Sequence, residues 1–388
     1  MLVSSGSHFV LYRDTVFYLS GLSEHGAMSE LATPVALIDE PTVLRNVRRV
    51  ADAARARGIA VRPHAKTHKS VELALLQVEH SAAGITVAKL SEAEALAAGG
   101  IDDLFVCYPL VERTKIERLI ALAGRVRIST IVESEPQARQ LAEAARTAGL
   151  ELEVTVDVDT GLGRVGVALG PGLEALVRLV ERLDGLRLRG LSTHEGFVYG
   201  IADPAERRAR LRESLSAFVE AGRSLNLATI SAGATPTLFE SMEIAGLTEV
   251  RPGNYVFYDA MQVALGAAAL EDCALSVLAT VVSVRSSSRA IIDAGSKVLS
   301  ADSGVHGLSL LSGYGIVLQR PDIQVTGLSE EHGWLSLDPS GPGVSVGERL
   351  RIIPNHACAA MANFDHAYLC KNESNLREIA ITARGAFS

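Results

Sequence analysis

Arg62-Pro63-His64-Ala65-Lys66-Thr67-His68-Lys69-Ser70 follows directly on the short apolar run 59–62. That run carries β-branched Ile59 and Val61 and is bounded by Gly58 and Pro63, so it reads as a buried strand with a loop at its C-terminal end. The same beat continues on both sides. Runs at 35–38, 85–88, 104–107, 126–132, 152–158, 186–192, 229–231 and 249–251 alternate with stretches rich in Ala, Leu, Glu and Arg. Strands that alternate with helices form parallel βαβ units, and roughly eight or nine of them predict a closed (β/α)8 TIM-type barrel. We assign residues 31–265 to that barrel, which places Lys66 at the strand C-termini where such barrels keep their chemistry.

Beyond residue 266 helical spacing gives way to consecutive strand-like runs at 275–284, 290–293, 323–328 and 349–353. Turns such as Asp338-Pro339-Ser340-Gly341-Pro342-Gly343 punctuate them. The chain is therefore an α/β protein, with a mostly β C-terminal domain over 266–388. Residues 1–30 differ in texture and are expected either to add a strand to the β domain or to stand outside the native fold.

A chain of 388 residues with 48% hydrophobic content can bury a large core. Its net charge of −8 is spread evenly and holds no basic stretch interleaved with aromatics, which argues against nucleic acid as partner. Cys107, Cys273, Cys358 and Cys370 lie far apart, as expected of a reducing cytoplasm rather than a disulfide framework. No run has the ~20 apolar residues of a membrane helix.

At the barrel rim a partly desolvated lysine has a lowered pKa and can form a Schiff base with an aldehyde. Taken alone, Lys66 reads more often as a surface lysine in a basic loop. Two later segments complement it: Ser231-Ala232-Gly233-Ala234-Thr235-Pro236-Thr237 and Arg251-Pro252-Gly253-Asn254-Tyr255. Each follows a strand run and could turn backbone N–H groups toward a phosphate. Asp157-Val158-Asp159-Thr160-Gly161-Leu162-Gly163-Arg164 adds Arg164 as a fixed cation.

Together with Ala88-Lys89-Leu90-Ser91-Glu92-Ala93-Glu94 and Asp293-Ala294-Gly295-Ser296-Lys297, this order of motifs resembles the fold-type III pyridoxal-phosphate enzymes, the alanine-racemase-like barrels. The R-P-H-x-K-T-H-K segment is similar to the cofactor-lysine motif of their D-threonine aldolase and D-serine dehydratase branch. The resemblance spans about residues 33–365. It implies pyridoxal 5′-phosphate on Lys66, Arg164 beside the ring hydroxyl, Tyr199 among the cofactor-binding residues, and the phosphate held by Gly233, Thr235, Gly253, Asn254 and Tyr255.

Ile353-Pro354-Asn355-His356-Ala357-Cys358 separates this branch from plain racemases. Residues i and i+2 of a strand share a face, so His356 and Cys358 are expected to converge on one divalent metal. Imidazole with thiolate favours zinc, with manganese or magnesium as the harder alternatives. Without the resemblance, a buried Cys beside a structural His is the commoner reading. His194, with Tyr199 beside it in Thr193-His194-Glu195-Gly196-Phe197-Val198-Tyr199, reads either as an acid or base near the substrate oxygen or as a satisfied core histidine. His332 resembles a family segment that supports the metal.

The resemblance implies a lyase of β-hydroxy D-amino acids. Dehydration of D-serine or D-threonine is favoured, retro-aldol cleavage is the alternative, and a homodimer is expected. Racemases and non-catalytic pyridoxal-phosphate carriers share the barrel. Racemases need no such metal pair, and the carriers lack the β domain.

Overall fold

The computed structural model describes residues 11–12, 15–16, 24–25, 28–304 and 310–388. Eight strands, Ala60–Val61, Ile85–Val87, Asp103–Val106, Arg127–Val132, Leu152–Asp159, Leu186–Thr193, Thr229–Ala232 and Glu249–Val250, pair in parallel around a ring. Glu249 and Val250 stand opposite Ala60 and Val61, joining the last strand to the first. The first and second meet through one parallel bridge, His64 to Thr86, where Thr86 N–H donates to the Pro63 carbonyl at 2.7 Å. The expected (β/α)8 barrel is thus present.

The intervening helices form where the sequence caps them. Pro204–Ser224 begins at Asp203, whose carboxylate accepts from the Ala205 and Glu206 N–H groups, and Pro204 supplies the first turn. Its inward stripe of Leu211, Leu215, Phe218 and Val219 packs on the barrel. Gly190 is required by close approach, because a Cβ there would lie 1.8 Å from the Thr229 carbonyl oxygen of the neighbouring strand.

The second domain is built on the long strand Leu275–Ser286. Arg289–Ile292, Gly333–Leu337, Ile323–Leu328, Ile316–Val317 and Arg349–Ile353 follow as antiparallel neighbours and return to Leu275–Ser286, closing a second barrel. Strict alternation marks its walls: Ile323, Val325, Leu335 and Leu337 are buried, while Gln324, Thr326, Trp334 and Ser336 are exposed. Its core of Val277, Val281, Ile292, Leu350 and Ile352 is distinct from that of the first barrel.

One boundary differs from the sequence reading. Val35–Asp39, expected as the first strand of the (β/α)8 barrel, pairs antiparallel with Leu275–Ser286 and parallel with His366–Asn372. Helix Glu40–Arg55, capped by Asp39 and buried through Val43, Val47 and Val50, then carries the chain to the barrel. The reason is that Val35–Ile38 is apolar and buried on consecutive residues. Such a run fits the interior of either sheet, and periodicity cannot assign it. Glu24–His25 pairs with Asn375–Ala380, so this part of the 1–30 segment joins the β domain. Most of that segment lies outside the described residues.

The four cysteines are free. Among the described residues no helix is long and apolar enough to cross a membrane.

Candidate active site

Loops that leave six of the eight barrel strands converge on one cavity of ≈ 190 Å³. Lys66 and His64 enter after Val61, Cys107 after Val106, Arg164 after Asp159 and His194 after Thr193. The segments 233–235 and 251–254 follow the last two strands. Met261, Gln262, His356 and Cys358 complete the wall.

Lys66 lies in a single 3-10 turn, Ala65–Thr67, capped by His64, whose Nδ1 accepts from Lys66 N–H at 3.3 Å. Its Nζ makes no hydrogen bond or ion pair among the described residues. Lys69, three positions on, is instead buried and paired with Glu92. The other Glu92 oxygen accepts from Ala88 and Lys89 N–H at 2.8 and 3.0 Å, tying the lysine loop to the next strand end. Of the two neighbouring lysines, Lys66 is thus the one left for chemistry.

Two histidines face the same space with opposite tautomers. Burial, then the charges of Lys66 and Arg251, holds His64 well below its ordinary pKa. Its Nδ1 already accepts, so Nε2 carries the proton and presents a donor. Burial, then Lys66 and Arg164, likewise keeps His194 neutral. There Nδ1 lies 3.3 Å from the Gly233 carbonyl and must donate, which leaves Nε2 as an acceptor. Tyr199 also lines the cavity, 3.5 Å from Gln262 Nε2; burial and then nearby Cys358 push its hydroxyl pKa up.

The two loops expected to hold an anion are more selective than their sequence suggests. Gly233 and Ala234 N–H donate at 3.0 and 2.8 Å to the wholly buried carboxylate of Glu195, which also accepts from Ser241. These two amides are therefore spoken for. Thr235 and Gly253 N–H have no partner among the described residues, and Thr235 Oγ1 accepts from Asn254 N–H at 3.1 Å, joining the two loops. Gly253 permits the close approach: a Cβ there would lie 3.0 Å from Thr67 Oγ1. Tyr255 departs from expectation. Its side chain is buried away from the cavity and its hydroxyl accepts from Gln77 at 3.0 Å, because successive residues of the turn Asn254–Val256 point in different directions.

Arg251 is buried, bonded to Ser231 Oγ and to the Thr193 carbonyl, and lies 5.4 Å from the Phe105 ring centre. Arg164 stands exposed at the cavity edge, in a loop held by Asp159, whose Oδ1 accepts from Gly161, Leu162 and Gly163 N–H at 2.9–3.1 Å. A lysine with no partner among the described residues, the hydrogen-bonded guanidinium of Arg251, the exposed one of Arg164 and two open amides suit an aldehyde that carries a phosphate. These residues fit pyridoxal phosphate.

His356 and Cys358 come together, but not as strand neighbours. The strand ends at Ile353, His356 stands at the N-terminal flank of the short helix Ala357–Met361, and Cys358 sits in its first turn. Pro354 breaks the strand pattern there, and Asn355 is bonded to the Asp302 and Gly313 carbonyls. Asp302 Oδ2 lies 2.7 Å from His356 Nδ1, which leaves Nε2 for a ligand. Burial opposes protonation of His356, but the Cys358 thiolate and the Asp302 carboxylate outweigh it and push its pKa up to about 11. Burial raises the Cys358 pKa, yet His356, Lys66 and Thr67 together bring it below the ordinary thiol value. Among the described residues no group of three or more His, Cys, Asp or Glu side chains is placed to hold a metal. Imidazole and thiolate as two donors fit a divalent ion that keeps open positions for substrate oxygen and water. His332 is exposed between Ile323–Leu328 and Gly333–Leu337 and does not line the cavity.

Several contributors carry little sequence signal. His64 belongs to the lysine motif and Glu195 adjoins His194, so both were within reach of it. Asp302 is a lone acid whose partner lies far along the chain, and Asp259, besides its near neighbours Asn254 and Gln262, reaches the distant Ala357.

A family model of the alanine racemase N-terminal domain matches residues 38–260, and one of a serine dehydratase domain matches 274–370. A D-threo-3-hydroxyaspartate dehydratase of Delftia sp. (strain HT23) is 35% identical over 353 residues, covering 86% of this chain and 93% of its own. A D-threonine aldolase of Arthrobacter sp. is 31% identical, covering 85% and 86%. The crystal structure of D-threonine aldolase from Filomicrobium marinum superposes with a TM-score of 0.86 at 30% identity, over 94% of this chain and 99% of that one.

Proposed function

Because the chain belongs to the alanine racemase N-terminal domain family, here joined to a serine dehydratase domain, we propose that it is a lyase of β-hydroxy D-amino acids that uses pyridoxal phosphate and a divalent metal. The reaction we favour is dehydration of D-serine or D-threonine, in which water is lost across Cα–Cβ and a water then hydrolyses the released enamine, leaving the 2-oxo acid and ammonia. One observation carries the reading: Lys66 from the barrel and the His356–Cys358 pair from the β domain line one cavity.

When bound, the cofactor supplies an electron sink for a bond at Cα, and the metal supplies a Lewis acid for an oxygen. Lys66 would hold the cofactor, Arg164 and Arg251 would balance its charge, and Thr235 and Gly253 N–H would donate to its phosphate. His356 Nε2 and Cys358 Sγ would hold the metal, with Asp302 fixing the imidazole. Lys66 Nζ would be the base that takes the Cα proton, having no hydrogen-bond or ion-pair partner among the described residues. His64 Nε2–H donates to a substrate oxygen. Met261 and Gln262 close the cavity against water. A homodimer, with each β domain over the barrel mouth of the other subunit, belongs to the same proposal, and so does a cytoplasmic location.

A second reading rests on His194. Its neutral Nε2 is an acceptor and could take the β-hydroxyl proton, which is the step that cleaves Cα–Cβ to glycine and an aldehyde. Incubation with D-threonine, with and without a chelator, decides between them. 2-Oxobutanoate formed only with metal supports dehydration, and glycine with acetaldehyde supports cleavage. Turnover unaffected by a rigorous chelator would refute the metal-dependent lyase.

A further inference from the structure

We propose that Asp259 is a positioning residue that couples the loop at Gly253–Asn254 to the metal-ligand turn of the β domain, so that filling either site tightens the other. The inference rests on the proposed function, in which this cavity takes both groups. Asp259 is wholly buried, and its two oxygens have different duties. Oδ1 accepts from Gln262 N–H at 3.0 Å, an ordinary cap for the short helix Ala260–Ala264. A cap needs no more than that. Oδ2 accepts from two further donors: the side-chain amide of Asn254, and at 2.8 Å the N–H of Ala357, the residue between His356 and Cys358.

Two backbone bonds lay the same segments side by side, Ala260 N–H to the Pro354 carbonyl and Met261 N–H to that of Asn355, each 3.2 Å. The peptide that sets the directions of the two ligand side chains thus hangs on the oxygen that also holds Asn254. Asn254 directly follows Gly253, whose N–H is open to an anion. A shift of Asn254 when the anion site fills must be shared with Ala357 through Asp259. A change in affinity at one site then appears equally at the other, since coupling is reciprocal.

The test uses cofactor-stripped protein titrated with Co(II), read by the thiolate-to-cobalt absorbance, with and without saturating pyridoxal phosphate. Wild type should bind Co(II) about tenfold more tightly when the cofactor is present. Asp259→Asn, which sets an amide against a backbone donor, should weaken Co(II) binding ~10–100-fold and abolish the dependence on cofactor. Asn254→Ala keeps the Asp259–Ala357 bond and should lose the dependence on saturating pyridoxal phosphate. A role confined to capping would lower stability and leave the ratio of the two Co(II) affinities unchanged, which would overturn the proposal. So would a wild-type ratio of one, or an Asn254→Ala protein that keeps the wild-type ratio. Wild type that takes up neither Co(II) nor cofactor overturns the function itself along with the coupling.

Discussion

Glu195→Gln tests whether a buried carboxylate shapes the anion loop. Glu195 Oε2 and Oε1 accept separately from Gly233 and Ala234 N–H, with Ser241 Oγ at 3.3 Å on Oε1. Burial raises its pKa, and the backbone donors oppose that rise. Glutamine preserves shape but sets an –NH2 against one of the two amides, so one charge-assisted hydrogen bond is lost and its donor is left buried without an acceptor. Bonds to charged groups contribute about 1.5–3 kcal/mol, and relief of the buried charge offsets part of that, for a net loss of about 2 kcal/mol. Gly233 cannot simply shift inward, since even a Cβ there would lie 2.5 Å from Arg251 N. The cost should therefore fall on cofactor binding, raising Kd ~30-fold by the usual conversion of 1.4 kcal/mol per decade. Equilibrium dialysis of pyridoxal phosphate, beside urea unfolding of the stripped protein, separates affinity from stability. A variant with wild-type cofactor affinity and stability would refute the assignment of Glu195 as the brace of this loop.

Lys66→Ala should abolish the yellow colour of the lysine-bound cofactor and all turnover, with the fold retained by circular dichroism; a coloured, active variant would rule out Lys66 as its anchor. His356→Ala should keep the colour while metal affinity, read by calorimetry, falls at least ~100-fold, more than loss of an outer partner such as Asp302 would cost. His68 predicts acid sensitivity. Burial lowers its pKa from 6.5 to about 4 against the favourable contacts of Gln77 and Ser70. The folded state thus prefers the neutral ring, so this stability is fully present above pH 6.5 and is lost as pH falls toward 4. The loss amounts to about 3 kcal/mol, and in urea melts at stepped pH the slope should be shallower by that amount in His68→Gln than in wild type, the buried His64 and His194 contributing their share in both. Gly190→Ala should unfold at markedly lower denaturant, by ~3 kcal/mol or more, because the Thr229 carbonyl occupies the place of the new methyl group.

The repeating strand–helix beat, the change to consecutive strands after residue 266 and the loop that carries Lys66 are all legible in the order of the residues. Each is a local property: periodicity and turn chemistry act over a few residues and leave their mark in order along the chain. Tertiary structure alone decided where Val35–Asp39 belongs, since an apolar run satisfies the interior of either sheet until its partners are known. It decided that His356 and Cys358 converge through a helical turn after Pro354, a change of backbone that strand spacing does not register. It also decided which amides are open. Gly233 and Ala234 look available in sequence, but Glu195 takes both, and whether a hydrogen-bonding group is satisfied depends on the whole surrounding packing and not on its neighbours in the chain. Lys66 and Lys69 are alike in one dimension, and only the position of Glu92 makes one structural and leaves the other without a partner among the described residues.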